Sequence, residues 1–338
     1  MRSFSKSLRN AAITICALLL CGSGASAETV RLMLDYALQG QQSPFVLAEQ
    51  GGYFARAGVD VQVDRGYGSG DAIAKVASGA YEMAFADIGA MIQFNAKQGG
   101  DRLFSVFQIY DVAPMVILSL KKNNIRTPAD LAGKKLASPP ASSSRVMFPL
   151  FAAANHLDPA SIEWLNVTPQ LRETMLAKAQ ADATTAFITD LAGLDRLGIA
   201  EADLSIMRYS DYGVRLYGNC IVTAADFAAK NPQIVKGVVK AMAQALKDTI
   251  ADPGIAIAAE KKREPLIDEN VELKRLQLVI ENAILTDHVK RAGLSAVEPE
   301  RLAQTIAMIS QVFSVAALDP RQAYRPDFLP PSAELMLK

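Results

Sequence analysis

The chain has 338 residues, 35 basic and 35 acidic side chains, and half of its residues are hydrophobic. That balance excludes a disordered chain and a strongly basic nucleic-acid binder, and the length exceeds one ordinary core, so two lobes or one large α/β unit is expected. Three cysteines and two histidines exclude a disulfide-stapled scaffold.

Arg2, Lys6 and Arg9 precede an apolar run from Ala11 to Leu20 and then Ala25-Ser26-Ala27. This is the layout of a secretory signal peptide, with cleavage expected after Ala27. The apolar run is too short to span a bilayer, and no later uncharged stretch reaches the ~20 residues a spanning helix needs. A soluble, exported mature protein is therefore expected. Cys16 and Cys21 fall inside the leader, which leaves Cys220 without an intrachain partner. Leu20 stands before Cys21 where a lipoprotein signal would carry a small residue, so Cys21 is read as leader and not as a lipidation site. The leader holds three of the 35 basic residues and no acidic one, so the mature chain has 32 basic against 35 acidic, a formal charge of −3.

Val30 to Leu34 reads as a first strand running into Asp35-Tyr36 and the polar loop 39–43. Pro44 opens a helix that Gly51-Gly52 closes, and Tyr53 to Gly58 makes a short helical turn. Val59, Val61 and Val63 alternate with Asp60, Gln62 and Asp64, the period of a half-buried strand. Gly66, Gly68 and Gly70 supply the loop that follows, and Ile73, Val76, Ala77 and Ala80 recur at helical spacing. Ser69 is expected to cap that helix and Gly79 to end it. Met83, Phe85 and Asp87 then lie on one face of a strand. Loops at the carboxyl ends of such strands bind ligands in open α/β sheets, so a small-molecule site is expected near Ser69, Gly70 and Asp87. A dinucleotide fingerprint fails, because its third glycine falls on Asp71, whose carboxylate would repel pyrophosphate.

The order Leu34-Asp35-Tyr36, a polar loop, Pro44, Ala48-Glu49-Gln50-Gly51-Gly52-Tyr53-Phe54, Gly58-Val59-Asp60-Val61, Gly68-Ser69-Gly70 and Val76-Ala77-Ser78-Gly79 resembles the NMT1/THI5-like family of periplasmic solute-binding proteins. That family includes sulfonate, taurine and thiamine-precursor binders of bacterial ABC importers. The resemblance implies an α/β protein of the type II periplasmic binding fold, two α/β lobes with a ligand cleft between them. Residues 28–113 would begin lobe one, 114–218 would form lobe two, and 219–338 would return to lobe one and add C-terminal helices, after a signal peptide at 1–27. It further implies a periplasmic monomer that meets a small solute and an inner-membrane permease, with no nucleic-acid partner and no cofactor.

In the second lobe, Met115 to Leu120 reads as a strand, and Ile125 to Lys135 resembles the family's entry segment, with Thr127 capping a short helix, Pro128 at its first position and Gly133 ending it. Ser138-Pro-Pro-Ala-Ser-Ser-Ser-Arg145 leads into a helix expected over 146–155. Hydroxyls, free N–H groups and a guanidinium meet there and suit an anionic or carbonyl-bearing ligand. Strands follow at 162–167, 183–187 and 204–209, with a helix over 170–179, and Tyr217 to Val222 resembles the crossing back. A long helix from Asn231-Pro232 carries the apolar stripe Ile234, Val235, Val238, Val239, Met242, Ala245 and Leu246, and similar stripes cover 271–292 and 300–312. Tyr324 to Pro330 resembles the family's C-terminal signature.

Neither His156 nor His288 has cysteine or histidine neighbours at metal-ligand spacing, and no nucleophile elbow is present, so no catalytic or metal residue is assigned. Asp35 and Asp87 both end strands and could face each other as an acid/base pair, but such aspartates more often cap helices or accept a ligand's N–H groups. The fungal branch of the family uses a cysteine-rich motif that one mature cysteine cannot reproduce, which favours binding over catalysis. The candidate ligand contacts are Asp35, Tyr36, Ser69, Gly70 and Asp87 from lobe one, Tyr110 near a crossing, and Ser142, Ser143, Arg145, Phe187 and Asp190 from lobe two. Two tyrosines, two carboxylates and Phe187 suit a flat nitrogen-bearing ring such as a thiamine pyrimidine precursor. The serine loop with Arg145 instead suits a sulfonate, taurine or another small organic anion, and an exported enzyme of thiamine-precursor metabolism is the third reading.

Overall fold

The computed structural model describes residues 29–100 and 102–337, so the expected leader with Cys16 and Cys21 lies outside the described residues. Val30–Met33 (β1) lies parallel between Val61–Asp64 (β2) and Met83–Asp87 (β3), with Val30 opposite Val61 and Leu32 opposite both Val63 and Met83. The alternation read from Val59 is present, but pairing begins at Val61; before it, the Asp60 carbonyl accepts the Val30 N–H at 2.9 Å, while the Val59 N–H turns back to the Phe54 carbonyl at 3.1 Å. Leu103–Gln108 (β4) closes this sheet, and Asn219–Ala224 (β10) inserts antiparallel between β3 and β4, giving the order β2-β1-β3-β10-β4. β3 and β4 are buried along their whole length, on both faces, so β3 buries Ala84 and Ala86 as well as the face that carries Met83, Phe85 and Asp87, and β4 is a strand that the sequence reading did not include.

The second sheet repeats this plan. Met115–Leu120 (β5), Lys135–Ser138 (β6), Glu163–Asn166 (β7), Ala183–Phe187 (β8) and Leu204–Arg208 (β9) take the order β7-β6-β8-β5-β9, with β6 parallel to its neighbours and β5 antiparallel to β8 and β9. In each sheet the inserted antiparallel strand is the one that adjoins a crossing: β5 receives the chain from β4, and β10 receives it from β9. Each sheet with its helices forms one lobe.

Three local differences from the sequence reading have identifiable causes. Ser69 does not cap its helix: Gly68 occupies that position at φ +138°, and the Ser69 hydroxyl accepts the Asp87 N–H at 3.1 Å, tying the loop to β3. The helix expected over 146–155 is two, Ser143–Val146 and Phe148–Ala154, because Pro149 has no N–H to continue the ladder and restarts it instead. The stripe over 271–292 is likewise split into Glu269–Val279, a π turn at Ile280–Ile284, and Asp287–Ala292. The widened turn presents the Ala283 carbonyl to the Val112 N–H of the first crossing at 3.2 Å.

Helix Pro232–Ala251 buries Val235, Val238, Val239, Met242, Ala245 and Leu246 in the lobe-one core. Each of the larger side chains contributes roughly 1.5–3 kcal/mol by leaving water. Two C-terminal helices reach both lobes. Glu269–Val279 packs on the turn 40–42 and on the lobe-two helix Asp190–Arg196, while Pro299–Phe313 packs on Ile88–Gln98 of lobe one and Phe148–Ala154 of lobe two. The Tyr324–Pro330 segment covers the exposed edge of β4: Arg325 N donates to the Ser105 carbonyl at 2.9 Å and Phe328 stacks on Phe104 with centroids 6.0 Å apart. Among the described residues no helix is long and apolar enough to cross a membrane.

Candidate ligand-binding site

The carboxyl ends of the parallel strands of both sheets meet across a slot between them. Its walls are Asp35, Tyr36, Gln41, Gln42, Gly68 and Ser69 from lobe one and Ser142, Ser143, Arg172 and Phe187 from lobe two. The slot is narrow, with about 20 Å³ of free volume. A space this narrow matches a small or flat guest.

Asp35 leaves β1 at the floor of the slot and accepts Gln42 Nε2 at 2.9 Å and Asn219 Nδ2 at 2.7 Å. Burial pushes its carboxyl up to about 6, against the pull of those two amides. Because the nitrogen of Gln42 faces a carboxylate, its Oε1 is the atom left over, and it has no partner. Gln41 Oε1 is also unpaired, its Nε2 donating to Gln39 Oε1 at 3.0 Å. The Tyr36 hydroxyl is buried without a partner, and burial holds the phenol protonated.

On the lobe-two wall, Ser142, Ser144, Thr185 and Ser138 form a chain of hydroxyls with steps of 2.8, 3.3 and 2.7 Å. Tyr209 fixes this turn by donating to the Ser144 carbonyl at 2.6 Å. Arg172 places its guanidinium 5.0 Å from the centre of the Tyr36 ring and gives one terminal nitrogen to Asp190, while its Nε has no partner. The walls thus carry unpaired acceptors on the glutamine side and an unpaired donor on the arginine side. Buried polar atoms without partners cost about 1–3 kcal/mol each, a penalty a guest with matching groups removes.

The lobes touch through main chain as well. The Gly70 N–H donates to the Ala141 carbonyl at 3.0 Å. At Gly68 a Cβ would overlap that same carbonyl and stand 2.8 Å from Ser142 N, so contact this close requires glycine.

Of the residues singled out in the sequence, Asp35, Tyr36, Ser69, Ser142, Ser143 and Phe187 come together here. The other five do not form the slot's walls. Gly70 is spent on the bond to Ala141. Asp87 lies behind Ser69 as the cap of helix Ile88–Gln98, its Oδ1 accepting the Ala90 N–H at 2.8 Å and its Oδ2 unpaired. Burial, reinforced by the charge of Asp35, pushes its carboxyl up to about 7. Tyr110 packs edge-on against Phe85 with centroids 5.3 Å apart, inside the lobe-one core. Arg145 turns away onto Trp164, 4.5 Å from its ring, and donates to Asn166 Oδ1 at 2.6 Å and the Ser138 carbonyl at 3.2 Å. Asp190 is held between Arg172 and Arg275.

Sequence reasoning passed over Gln41, Gln42, Gly68 and Arg172 as wall residues. The polar loop after Asp35 was a signal for the glutamines, and the glycine run for Gly68. Nothing local marks Arg172, one cation in a helix of mixed polarity. Among the described residues no group of three or more His, Cys, Asp or Glu side chains is placed to hold a metal ion.

Comparison with solved structures gives the fold a context. The alkanesulfonate-binding protein SsuA of Xanthomonas axonopodis pv. citri, bound to MOPS, is similar with a TM-score of 0.67 and 17% identity, over 89% of this chain and 98% of that one. The nitrate-binding protein NrtA of Synechocystis PCC 6803 is similar with a TM-score of 0.59 and 12% identity, over 90% and 87%. A conserved gene product of Candida albicans, described as having the generic periplasmic binding protein fold, is similar with a TM-score of 0.65 and 14% identity, over 92% and 97%. Identities this low carry the fold and not the ligand. No curated protein sequence matches the chain at significance. The NMT1/THI5-like sequence pattern, however, matches residues 39–256, and by that match this two-lobed α/β protein of the periplasmic binding fold belongs to the NMT1/THI5-like family.

Proposed function

We propose that this chain is the exported, periplasmic solute-binding component of an ABC importer, with residues 28–113 and 219–338 as one lobe and 114–218 as the other. It captures one small organic solute in the slot between the lobes, as a monomer, and hands it to an inner-membrane permease without making or breaking a bond. The observation that carries this reading is the composition of the slot: six residues of one lobe and four of the other share it, so a guest contacts both and favours the closed form over the open one. The similar SsuA and NrtA structures bear names of solute-binding proteins, which supports the same class. Catalysis by the two carboxylates is disfavoured, because Asp87 stands behind Ser69 and does not face the slot.

For the solute, the reading preferred is a flat nitrogen heterocycle with N–H donors, of the kind a thiamine pyrimidine precursor represents. Its N–H groups would meet Asp35, Gln41 Oε1 and Gln42 Oε1, and a ring acceptor would meet Arg172 Nε. The charge of Arg172 is already answered by Asp190, which leaves little positive potential for an anion. A small sulfonate is the second reading, supported by Arg172 Nε and by the hydroxyls of Ser142 and Ser143.

A melting-temperature screen of the purified chain against aminopyrimidines and short sulfonates separates these. A stoichiometric upward shift with aminopyrimidines and no product by mass spectrometry supports the proposal. A shift with sulfonates alone replaces the heterocycle by the anion, and turnover of any probe removes the binding role.

A further inference from the structure

Helix Glu269–Val279 is rooted in the lobe-one core by Leu276 and Val279, yet its Arg275 points out of that core into lobe two. There Arg275 Nη2 donates to Glu173 Oε1 at 2.6 Å, and Nη1 reaches the Thr189 carbonyl at 3.3 Å and Asp190 Oδ1 at 3.4 Å. Arg275 is 3% exposed although its guanidinium lies between the lobes. Both ends of this contact lead to the slot. On the lobe-two side, Asp190 shares its second oxygen with the wall residue Arg172. On the lobe-one side, Glu272, one turn from Arg275 and 3.5 Å from its Nε, accepts the Gly40 N–H at 2.7 Å and so pins the turn that carries Gln41 and Gln42.

The geometry points to Arg275 as a positioning residue that latches the closed form. It touches no guest; it joins the lobes beside the slot and, through Asp190 and Glu272, holds the two opposing walls in register. This rests on the two-lobed solute-binding reading above. Separating the lobes takes Arg275 away from Glu173 and Asp190, so the full set of charge-assisted bonds exists in the closed form alone. A forked guanidinium answers two carboxylates at once, which a lysine ammonium cannot do in the same geometry.

The test measures the ligand-free chain, so it does not depend on knowing the solute. Spin labels at exposed positions of the two lobes, Ala55→Cys and Lys178→Cys, report the inter-lobe distance. The expected result is a substantial short-distance population in the otherwise unaltered protein. Arg275→Met and, from the other lobe, Glu173→Gln each shift that population to longer distance, reducing the closed-to-open ratio roughly tenfold. The double variant shifts it no further than Arg275→Met alone, because Glu173 is bound to the other lobe through Arg275. Arg275→Lys restores part of the short population, which a general loss of packing would not allow. Unchanged distances in both single variants, additive shifts in the double variant, or a protein already fully open before substitution would overturn the proposal. Failure of every solute to bind would instead remove the solute-binding reading, while the distances still decide the latch.

Discussion

Asp87→Asn isolates the energetic consequence of a carboxyl buried without a full set of partners. Asp87 is fully buried, one oxygen capping Ala90 and the other facing no donor, and its carboxyl sits at about 7 against an ordinary 3.8. The folded chain therefore binds this proton more tightly than the unfolded chain does. The stability it contributes is complete below about pH 4 and is lost as pH rises through about 7. Three pH units at ~1.4 kcal/mol each give ~4 kcal/mol as the span of the effect. Asparagine keeps the oxygen that caps Ala90 and cannot ionise. The variant should then match or fall slightly below the parent at pH 4.5 and exceed it by ~2–4 kcal/mol at pH 8. Urea unfolding of both proteins at half-unit steps from pH 4.5 to pH 8 measures the difference. A difference that stays constant within about 1 kcal/mol over that range, or that grows in the opposite direction, refutes the assignment.

Three further outcomes follow from the slot. Asp35→Asn should weaken an aminopyrimidine about 10- to 100-fold by calorimetry while leaving a sulfonate unchanged or tighter, since a charge-assisted hydrogen bond is worth roughly 1.5–3 kcal/mol; equal losses for both contradict the acceptor role. Gly68→Ala should hold the lobes apart and weaken any guest at least tenfold with the fold intact by circular dichroism, because its Cβ meets the Ala141 main chain. Undiminished affinity in that variant would show that the lobes do not meet there. Arg145→Ala should cost no more than about twofold in affinity, as its guanidinium lies on Trp164 and Asn166; a large loss would return Arg145 to the site.

Much of the fold was legible because its signals are local. The valines of β2, the apolar residues of β3 and β5 and the stripe on helix Pro232–Ala251 each follow from a local pattern, whereas β4, with Ser105 and Gln108 in its sequence, was not read as a strand. The end of β1 at Asp35 and the serine turn at 142–143 could be placed at the site for the same reason, since strand ends are read from pattern. What the pattern could not give was which way a polar side chain turns once a partner arrives from far along the chain. Ser69 is drawn from its own helix to Asp87, Arg145 to Trp164, and Asp190 to Arg275, 85 residues on. Arg172 enters the slot because helix 172–177 packs beside β6 and β8, a placement no neighbour in sequence announces.

Native mass spectrometry of the chain purified without added solute tests capture most directly. The prediction is one small organic molecule retained per chain and released on denaturation with its mass unchanged, and a variant carrying Asp35→Asn and Gln42→Ala that retains none. Equal retention by the parent and that variant, or no retained molecule and no uptake from a mixture of aminopyrimidines and sulfonates, contradicts capture in the slot between the lobes.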